Sequence, residues 1–100
     1  MYDEEMTAFE REKNTKELER ILKALANKRR LGVLAHLKKT KQSSVGATAQ
    51  AIKLSFKATS KHLGILSHAD IVEKEQIGLT MLYSLSNPKP LLVQKLLDVL

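Results

Sequence analysis

The hydrophobic pattern of this sequence changes its period near residue 70, and this change limits the possible folds more than any other feature. Residues 44–69 repeat apolar side chains at helical spacing in two runs, which are separated by the short turn Leu54-Ser55. Residues 70–86 instead form two β-like runs around Ile77-Gly78, which predicts a hairpin with its turn at these two residues. The sequence therefore predicts a helix-turn-helix followed directly by a β-hairpin.

Both helices of this pair begin at a serine that is suited to cap them. Ser44 precedes a predicted helix over about 45–52, and Ser55 precedes a helix that ends near Ala69. The residues expected to face the core are Val45, Ala49 and Ile52 in the first helix and Phe56, Thr59, Leu63 and Leu66 in the second. The polar residues 40–44, just before the pair, predict a loop or a short edge strand.

Three helices are predicted before the helix-turn-helix. An amphipathic helix over about 3–13 ends at Asn14-Thr15, two residues that can break and recap the chain. The next helix begins at Glu17, and its apolar stripe consists of Leu18, Ile21, Leu22 and Leu25. Asn27 is suited to cap the third helix, whose apolar side consists of Leu31, Leu34, Ala35 and Leu37.

A final helix is predicted over 88–100, because proline fits the first turn of a helix. Only Gln94, Lys95 and Asp98 are polar among residues 91–100, so this helix needs apolar cover on more than one side. A second copy of the chain would provide that cover.

One hundred residues correspond to a single domain. The predicted fold class is mainly α (α+β), a winged helix-turn-helix with a two-stranded β-wing and a C-terminal dimerisation helix. We divide the chain into an N-terminal helical extension (1–16), the helix-turn-helix (44–69), the wing (70–86) and the dimerisation helix (88–100).

The charge is distributed unevenly along the chain. Residues 21–62 contain ten lysines and arginines and no acidic residue, whereas residues 1–20 contain seven acids. A long acid-free basic stretch produces a focused positive field that attracts a polyanion. Nucleic acid is the first candidate partner, and an anionic membrane surface is the second.

Several classes of function find no support in the sequence. The absence of cysteine excludes disulfides, thiolate metal sites and thiol redox switches. The three histidines, at 36, 62 and 68, do not share a helix face at ligand spacing, so no metal site and no cofactor are expected. No nucleophile and base or paired carboxylates are placed as in an enzyme. No apolar run is long enough to span a membrane, and the acidic N-terminus does not resemble a signal peptide, so we expect a cytoplasmic protein without membrane contact.

Two segments carry a resemblance to a known family. The run LANKRRLGVL at 25–34 resembles the opening signature of the ArsR-type winged-helix repressors, and LSFKATSKHLGIL at 54–66 is similar to their recognition-helix signature. The segments ADIV at 69–72 and YSL at 83–85 are similar to the exit of that helix and the end of the wing. The resemblance covers about residues 17–86.

The resemblance implies a homodimer that binds a palindromic operator, with the first and last helices at the interface. The interface residues expected on this basis are Met6, Phe9, Leu92, Leu96, Leu97 and Leu100. The chain departs from the family in four respects. It lacks the sensing cysteines near residues 43–47, and its last helix has no histidine. Lys53 occupies a position where the family often has glycine, and the wing carries Glu73 and Glu75 where basic residues are usual.

The second helix of the helix-turn-helix, which follows Ser55, carries the expected DNA contacts. Geometry places Lys57, Ser60 and Lys61 on its outer face and His62 at the margin, where they can meet base edges in a major groove. Ser55 can place backbone N–H groups of the helix start against a phosphate.

For two further groups of basic residues, the sequence allows more than one interpretation. Lys38, Lys39 and Lys41 form either a rim that contacts phosphates or a solubilising surface. The basic run 28–30 at a helix start either contacts phosphate, points into water, or pairs with acids such as Glu17 and Glu19.

Two functions from different classes follow from these features. The first is a sequence-specific regulator that binds double-stranded DNA as a homodimeric repressor, with an effector that the sequence does not identify. The second is a winged-helix module that binds another protein through the last helix or through the apolar wing tip of Ile77 and Leu79. The basic stretch favours the first function, and the acidic wing favours the second.

Overall fold

The computed structural model describes the backbone of residues 8–100 and the side chains of residues 14–100. Within this part of the chain there are five α-helices and one three-stranded antiparallel sheet. In chain order the elements are α1 (Ala8–Leu25), α2 (Lys28–Thr40), β1 (Ser43–Ser44), α3 (Val45–Ile52), α4 (Phe56–His68), β2 (Val72–Ile77), β3 (Thr80–Leu85) and α5 (Leu91–Leu97).

The helix-turn-helix consists of α3 and α4, and its predicted caps are confirmed. Ser44 Oγ accepts a hydrogen bond from the amide of Ala47 at 3.1 Å, and Ser55 Oγ accepts one from the amide of Ala58 at 3.1 Å. Each cap satisfies one of the amides that have no partner at a helix start, which fixes where the helix begins.

The turn between α3 and α4 holds Lys53 in the left-handed region, with φ 55° and ψ 53°. Its amide donates to the carbonyl oxygens of α3, as is usual for a helix C-cap. The sequence predicts strain of this kind, because Lys53 occupies a position where glycine is common. A side chain with a Cβ costs about 1 kcal/mol in this conformation.

We expect Lys53→Gly to raise the free energy of unfolding by about 0.5–1 kcal/mol, because glycine adopts a positive φ without a steric penalty. Urea denaturation followed by circular dichroism would measure this change. Lys53→Ala is the matched control, because it removes the charge but keeps the Cβ, and its stability should stay near that of the parent. Equal stabilisation by both variants would assign the effect to charge.

The wing is the hairpin of β2 and β3, and its turn lies one residue later than the sequence predicts. Ile77 pairs with Thr80, so the turn residues are Gly78 and Leu79 instead of Ile77-Gly78. Gly78 has φ 63°, and a positive φ at the first turn position is the reason that glycine must stand there. The predicted edge strand is also present, because Ser43 pairs with Tyr83 and the strand order is β1-β3-β2. The wing therefore belongs to a sheet of three strands instead of two.

The core lies between the helices and the sheet. The prediction for α4 is confirmed for Thr59, Leu63 and Leu66, which are all fully buried, but it is wrong for Phe56, which is 63% exposed. Phe56 is the first residue of α4 and stands at the end of the core, where no neighbouring element packs over it. Other fully buried side chains of the core include Val33, Leu34, Leu37, Ile71 and Val93.

The first helix continues where the sequence predicts a break. α1 runs without interruption through Asn14 and Thr15, because such residues cost only a few tenths of a kcal/mol in a helix and neither is proline or glycine. The predicted helix break at Asn14-Thr15 is therefore wrong. The predicted apolar stripe divides in two: Ile21 and Leu25 are buried, whereas Leu18 and Leu22 are 38% and 51% exposed.

The last helix is shorter than the predicted 88–100 and has only seven residues. Pro90 is its N-cap, and after Leu97 the chain continues in a turn in which the amide of Val99 donates to Leu96 O at 3.0 Å. Leu97 is 7% exposed and packs in the core of its own chain, and its place at a dimer interface stays a prediction.

Candidate nucleic-acid interface

The outer face of α4 presents the predicted contact residues together. Lys57 and Lys61 are exposed and lie one helical turn apart, and Ser60 and His62 are half-buried at the edges of the same face. Ser55 is exposed at the start of the helix, where its side chain acts as the cap. The face therefore combines two flexible cations with smaller groups that can donate or accept hydrogen bonds.

Phe56 is part of this outer surface and was not predicted there. Its ring is exposed beside Lys57 at the start of α4. The helical spacing to Thr59 and Leu63 placed Phe56 on the core side, but that spacing does not show that the first turn extends past the core. The available signal was its position directly after the cap Ser55.

His62 is held by Arg30 of α2. Arg30 Nη1 donates to Nδ1 of His62 at 3.3 Å, so Nδ1 is the acceptor and Nε2 carries the proton of the neutral ring. Burial lowers the pKa of His62 below its usual value, and the positive charges of Arg30, Lys61 and Arg29 lower it further. His62 is therefore neutral at pH 7, and its Nε2–H is available as a hydrogen-bond donor.

The basic run at the start of α2 has a structural role that the sequence did not reveal. Asn27 Oδ1 caps this helix by accepting from the amides of Arg29 and Arg30, at 2.9 and 3.1 Å. Arg30 Nε donates to Ala24 O at 2.5 Å and its Nη2 donates to Lys23 O at 3.2 Å, at the carboxyl end of α1. Arg30 is thus engaged with carbonyl oxygens, in place of the predicted acids or open water.

The three lysines after α2 do not form a single rim. Lys38 Nζ donates to Leu97 O at 2.6 Å and to Leu100 O at 3.2 Å, so it stabilises the end of α5, and its role in DNA binding stays a prediction. Lys39 is exposed beside a depression between α2 and α3 that Lys28 and Arg29 also line. Lys41 is exposed at the end of α2, near α5.

The wing differs in character from α4. Leu79 at its tip is completely exposed and Ile77 is 49% exposed, while Glu73 and Glu75 are exposed along β2. These carboxylates repel phosphate groups, so β2 is less suited than α4 to contact DNA.

Two other features, a metal-binding cluster and a membrane-spanning helix, are absent from the residues that the structure describes. Among residues 14–100 no group of three or more histidine, aspartate or glutamate side chains is placed to hold a metal ion. No helix in the part of the chain that the structure describes has the length and apolar character needed to cross a membrane.

The chain is similar to a bacterial transcription regulator. It is 37% identical over 82 residues to the transcriptional activator HlyU of Vibrio cholerae, a match that covers 82% of this chain and 75% of that protein. The structure of reduced HlyU from the same organism aligns with a TM-score of 0.75 and 33% identity, covering 90% of each chain. No protein-family model matches the sequence.

Two further solved structures are similar at lower identity. One is the homodimeric winged helix-turn-helix DNA-binding domain of Mb0332 from Mycobacterium bovis, a possible ArsR-family regulator, with TM-score 0.79, 26% identity and coverage of 94% and 83%. The other is the transcriptional repressor BigR of Xylella fastidiosa, with TM-score 0.72, 28% identity and coverage of 94% and 92%.

The fold and the exposed basic face of α4 define a DNA-binding transcription regulator of the winged helix-turn-helix class. The relationship to HlyU places it more narrowly. The chain belongs to the ArsR-type family of winged helix-turn-helix transcriptional regulators.

Proposed function

We propose that this chain is a homodimeric repressor that reads a palindromic operator with α4. The observation that carries this proposal is the exposed face of α4. We call this surface the recognition face, and it consists of Ser55, Phe56, Lys57, Ser60, Lys61 and His62. In a two-fold symmetric dimer, the two α4 helices would enter successive major grooves about 34 Å apart.

Each residue of the recognition face has a chemical role that fits a major groove. Lys57 and Lys61 can donate to O6 and N7 of guanine, and the exposed ring of Phe56 can contact the methyl group of thymine. Nε2–H of His62 and the hydroxyl of Ser60 can donate to base or phosphate acceptors. Lys39 is a candidate for phosphate contact outside the recognition face, and Lys41 is a weaker one because it lies near α5.

The proposed dimer interface uses apolar side chains that the described chain leaves exposed. Leu18 and Leu22 lie one turn apart on α1, and the C-terminal segment exposes Leu91, Val99 and Leu100. Leu92 and Leu96 are half-buried against the edge of the core and can extend this surface. Side-chain positions for Met6 and Phe9, two other predicted interface residues, lie outside the described residues. The homodimeric state of Mb0332 supports the proposal.

The repressor assignment is supported by a neighbour, and a relative provides the alternative. BigR is a transcriptional repressor, whereas HlyU is a transcriptional activator. We infer repression because a dimer bound over a promoter excludes polymerase without any further contact. Activation would need a surface for polymerase, and the exposed wing tip of Ile77 and Leu79 is the candidate for such a protein contact.

The proposed site of action is the cytoplasm, where a bacterial operator lies. We assign no catalytic role, since the proposed chemistry of the recognition face is binding alone.

Selection from a random pool of duplexes tests this function directly. We expect the full chain to enrich a palindromic sequence, to have the mass of a dimer by light scattering, and to bind with an affinity that falls steeply with salt because phosphate counterions are released. Transcription in vitro from a promoter that overlaps the selected site should fall when the protein is added.

Three other results would each contradict one part of this proposal: operator recognition, the dimer or repression. Binding without sequence enrichment would contradict operator recognition. A monomer mass would contradict the dimer. Increased transcription would identify an activator and would direct attention to the wing tip.

A further inference from the structure

A groove lies between the carboxyl-terminal halves of α1 and α4, outside the recognition face except at Lys61. Its volume is about 670 Å³, which falls within the usual range for sites that bind small molecules. The floor is formed by apolar or small residues, namely Ala24, Gly64, Ile65 and Ala69. The rim is basic and consists of Arg20, Lys23, Arg30, Lys61 and His68.

Gly64 leaves space in this groove, although glycine makes helix α4 less stable. Glycine in the interior of a helix is about 1 kcal/mol less favourable than alanine. A Cβ at Gly64 would meet no heavy atom within 4 Å, so packing within the chain does not require glycine there. The space beside α4 is therefore left free at the middle of the groove.

The cations on the rim are not all neutralised. Arg20 contacts Glu17 at 2.7 Å and Asp70 at 3.4 Å, and Lys23 lies 3.7 Å from Glu19. Arg30 and Lys61 have no carboxylate within ion-pair distance among residues 14–100. The groove thus combines an apolar floor with two cations that no carboxylate of residues 14–100 neutralises, which complements a molecule with an apolar body and an anionic group.

We propose that this groove binds an amphipathic organic anion, a carboxylate or sulfonate on an apolar body, and that binding releases the operator. The regulatory half of this inference rests on the proposed DNA-binding function. Lys61 belongs both to the groove and to the recognition face, so an anion that pairs with Lys61 withdraws it from DNA. By thermodynamic linkage, the operator must weaken binding of the anion by the same factor.

Titration calorimetry of the full chain without DNA tests the site itself. The probes are decanoate, kept below the concentration at which it forms micelles, and 2-naphthoate. We expect saturable binding of at least one of them with a stoichiometry of one per chain. Decyltrimethylammonium, which has the same chain length as decanoate but a positive charge, should not bind. If neither anion binds, or if the cation binds equally well, the proposed site is wrong.

Substitutions at Gly64 locate the site. Gly64→Leu projects a side chain into open space and should weaken binding of the anion at least tenfold, whereas Gly64→Ala adds one methyl group and serves as the control for helix propensity. Circular dichroism should show that both variants are folded. Undiminished binding by Gly64→Leu would place the anion elsewhere.

Operator binding is measured separately, so that failure of one proposal does not hide the other. At saturation, the probe that binds should lower the operator affinity of the parent chain about tenfold, a coupling of typical size, and should leave that of Gly64→Leu unchanged. Unchanged operator affinity in the parent chain would overturn the regulatory half of the inference. A chain that selects no operator would contradict the proposed function, while the calorimetric result would still decide whether the groove binds the anion.

Discussion

Lys57→Ala and Lys61→Ala are each expected to lower the affinity for the selected operator by roughly 5- to 150-fold. This range corresponds to the loss of one base-edge contact, which costs about 1–3 kcal/mol. Both side chains are exposed on α4, so neither substitution removes a packing contact from the core. Their thermal unfolding should therefore match that of the parent chain.

The salt dependence separates two ways in which a lysine can act. A lysine that reads guanine contributes to the difference between the operator and a random duplex, so its removal relaxes specificity at one position of the site. A lysine that contacts phosphate weakens binding to both duplexes, and its removal reduces the slope of log affinity against log salt by about one. Fluorescence anisotropy with both duplexes across a salt series measures each quantity.

Lys95→Ala is the matched control, because it removes the same charge from an exposed position on α5. We expect its operator affinity to stay within twofold of the parent value. If Lys57→Ala and Lys61→Ala both bind the operator as the parent does, α4 is not the reading helix.

Leu22→Glu is expected to convert the dimer into a folded monomer. Leu22 is 51% exposed in the described chain, so a carboxylate there remains in water in the monomer but would be buried without a partner in the proposed interface. A monomer reads one half-site alone and loses the gain from a second linked contact, which is typically 10²- to 10⁴-fold. Operator affinity should fall by at least a hundredfold.

Light scattering and anisotropy, on the same samples, test this prediction. Leu79→Glu is the control, because it introduces the same charge at an exposed leucine of the wing tip, and it should remain a dimer. Leu91→Glu provides a second test from the C-terminal segment. If Leu22→Glu and Leu91→Glu both keep the dimer mass, the proposed interface is wrong.

Much of the fold follows from local patterns in the sequence. Ser44 and Ser55 mark the starts of α3 and α4 because a cap is decided by a few neighbouring atoms. Thr59, Leu63 and Leu66 were placed correctly because they lie in the middle of a helix, where periodicity determines which face is buried.

The features that the sequence did not predict are those that depend on tertiary contacts. Phe56 has the right spacing for the core, but it stands at the end of α4. Lys38 belongs to a basic segment, and only the fold brings it to carbonyl oxygens that are 59 residues away in the chain. Leu97 lies on a helix that is apolar nearly all round, where the sequence cannot show which side faces its own core. Exposure at helix ends and long-range polar contacts were thus beyond local reasoning.

In the candidate site, too, the sequence predicts local features but not contacts between distant residues. The residues of the recognition face other than Phe56 follow from the cap and the helical spacing of α4, but the interaction between Arg30 and His62 joins positions that are 32 residues apart. No pattern in the sequence links these two positions. The groove beside Gly64 is likewise formed by two helices that are distant in the chain.

Arg30 also connects α4 with the helix that carries the proposed subunit interface. Its guanidinium group bonds to the last turn of α1, which carries the proposed subunit interface, and to His62 on α4. The guanidinium group of Arg30 therefore links the end of α1 directly to α4. In the proposed dimer, a rearrangement of α1 at the subunit interface would therefore be expected to move α4, and so to change the spacing of the two α4 helices relative to the helical repeat of DNA.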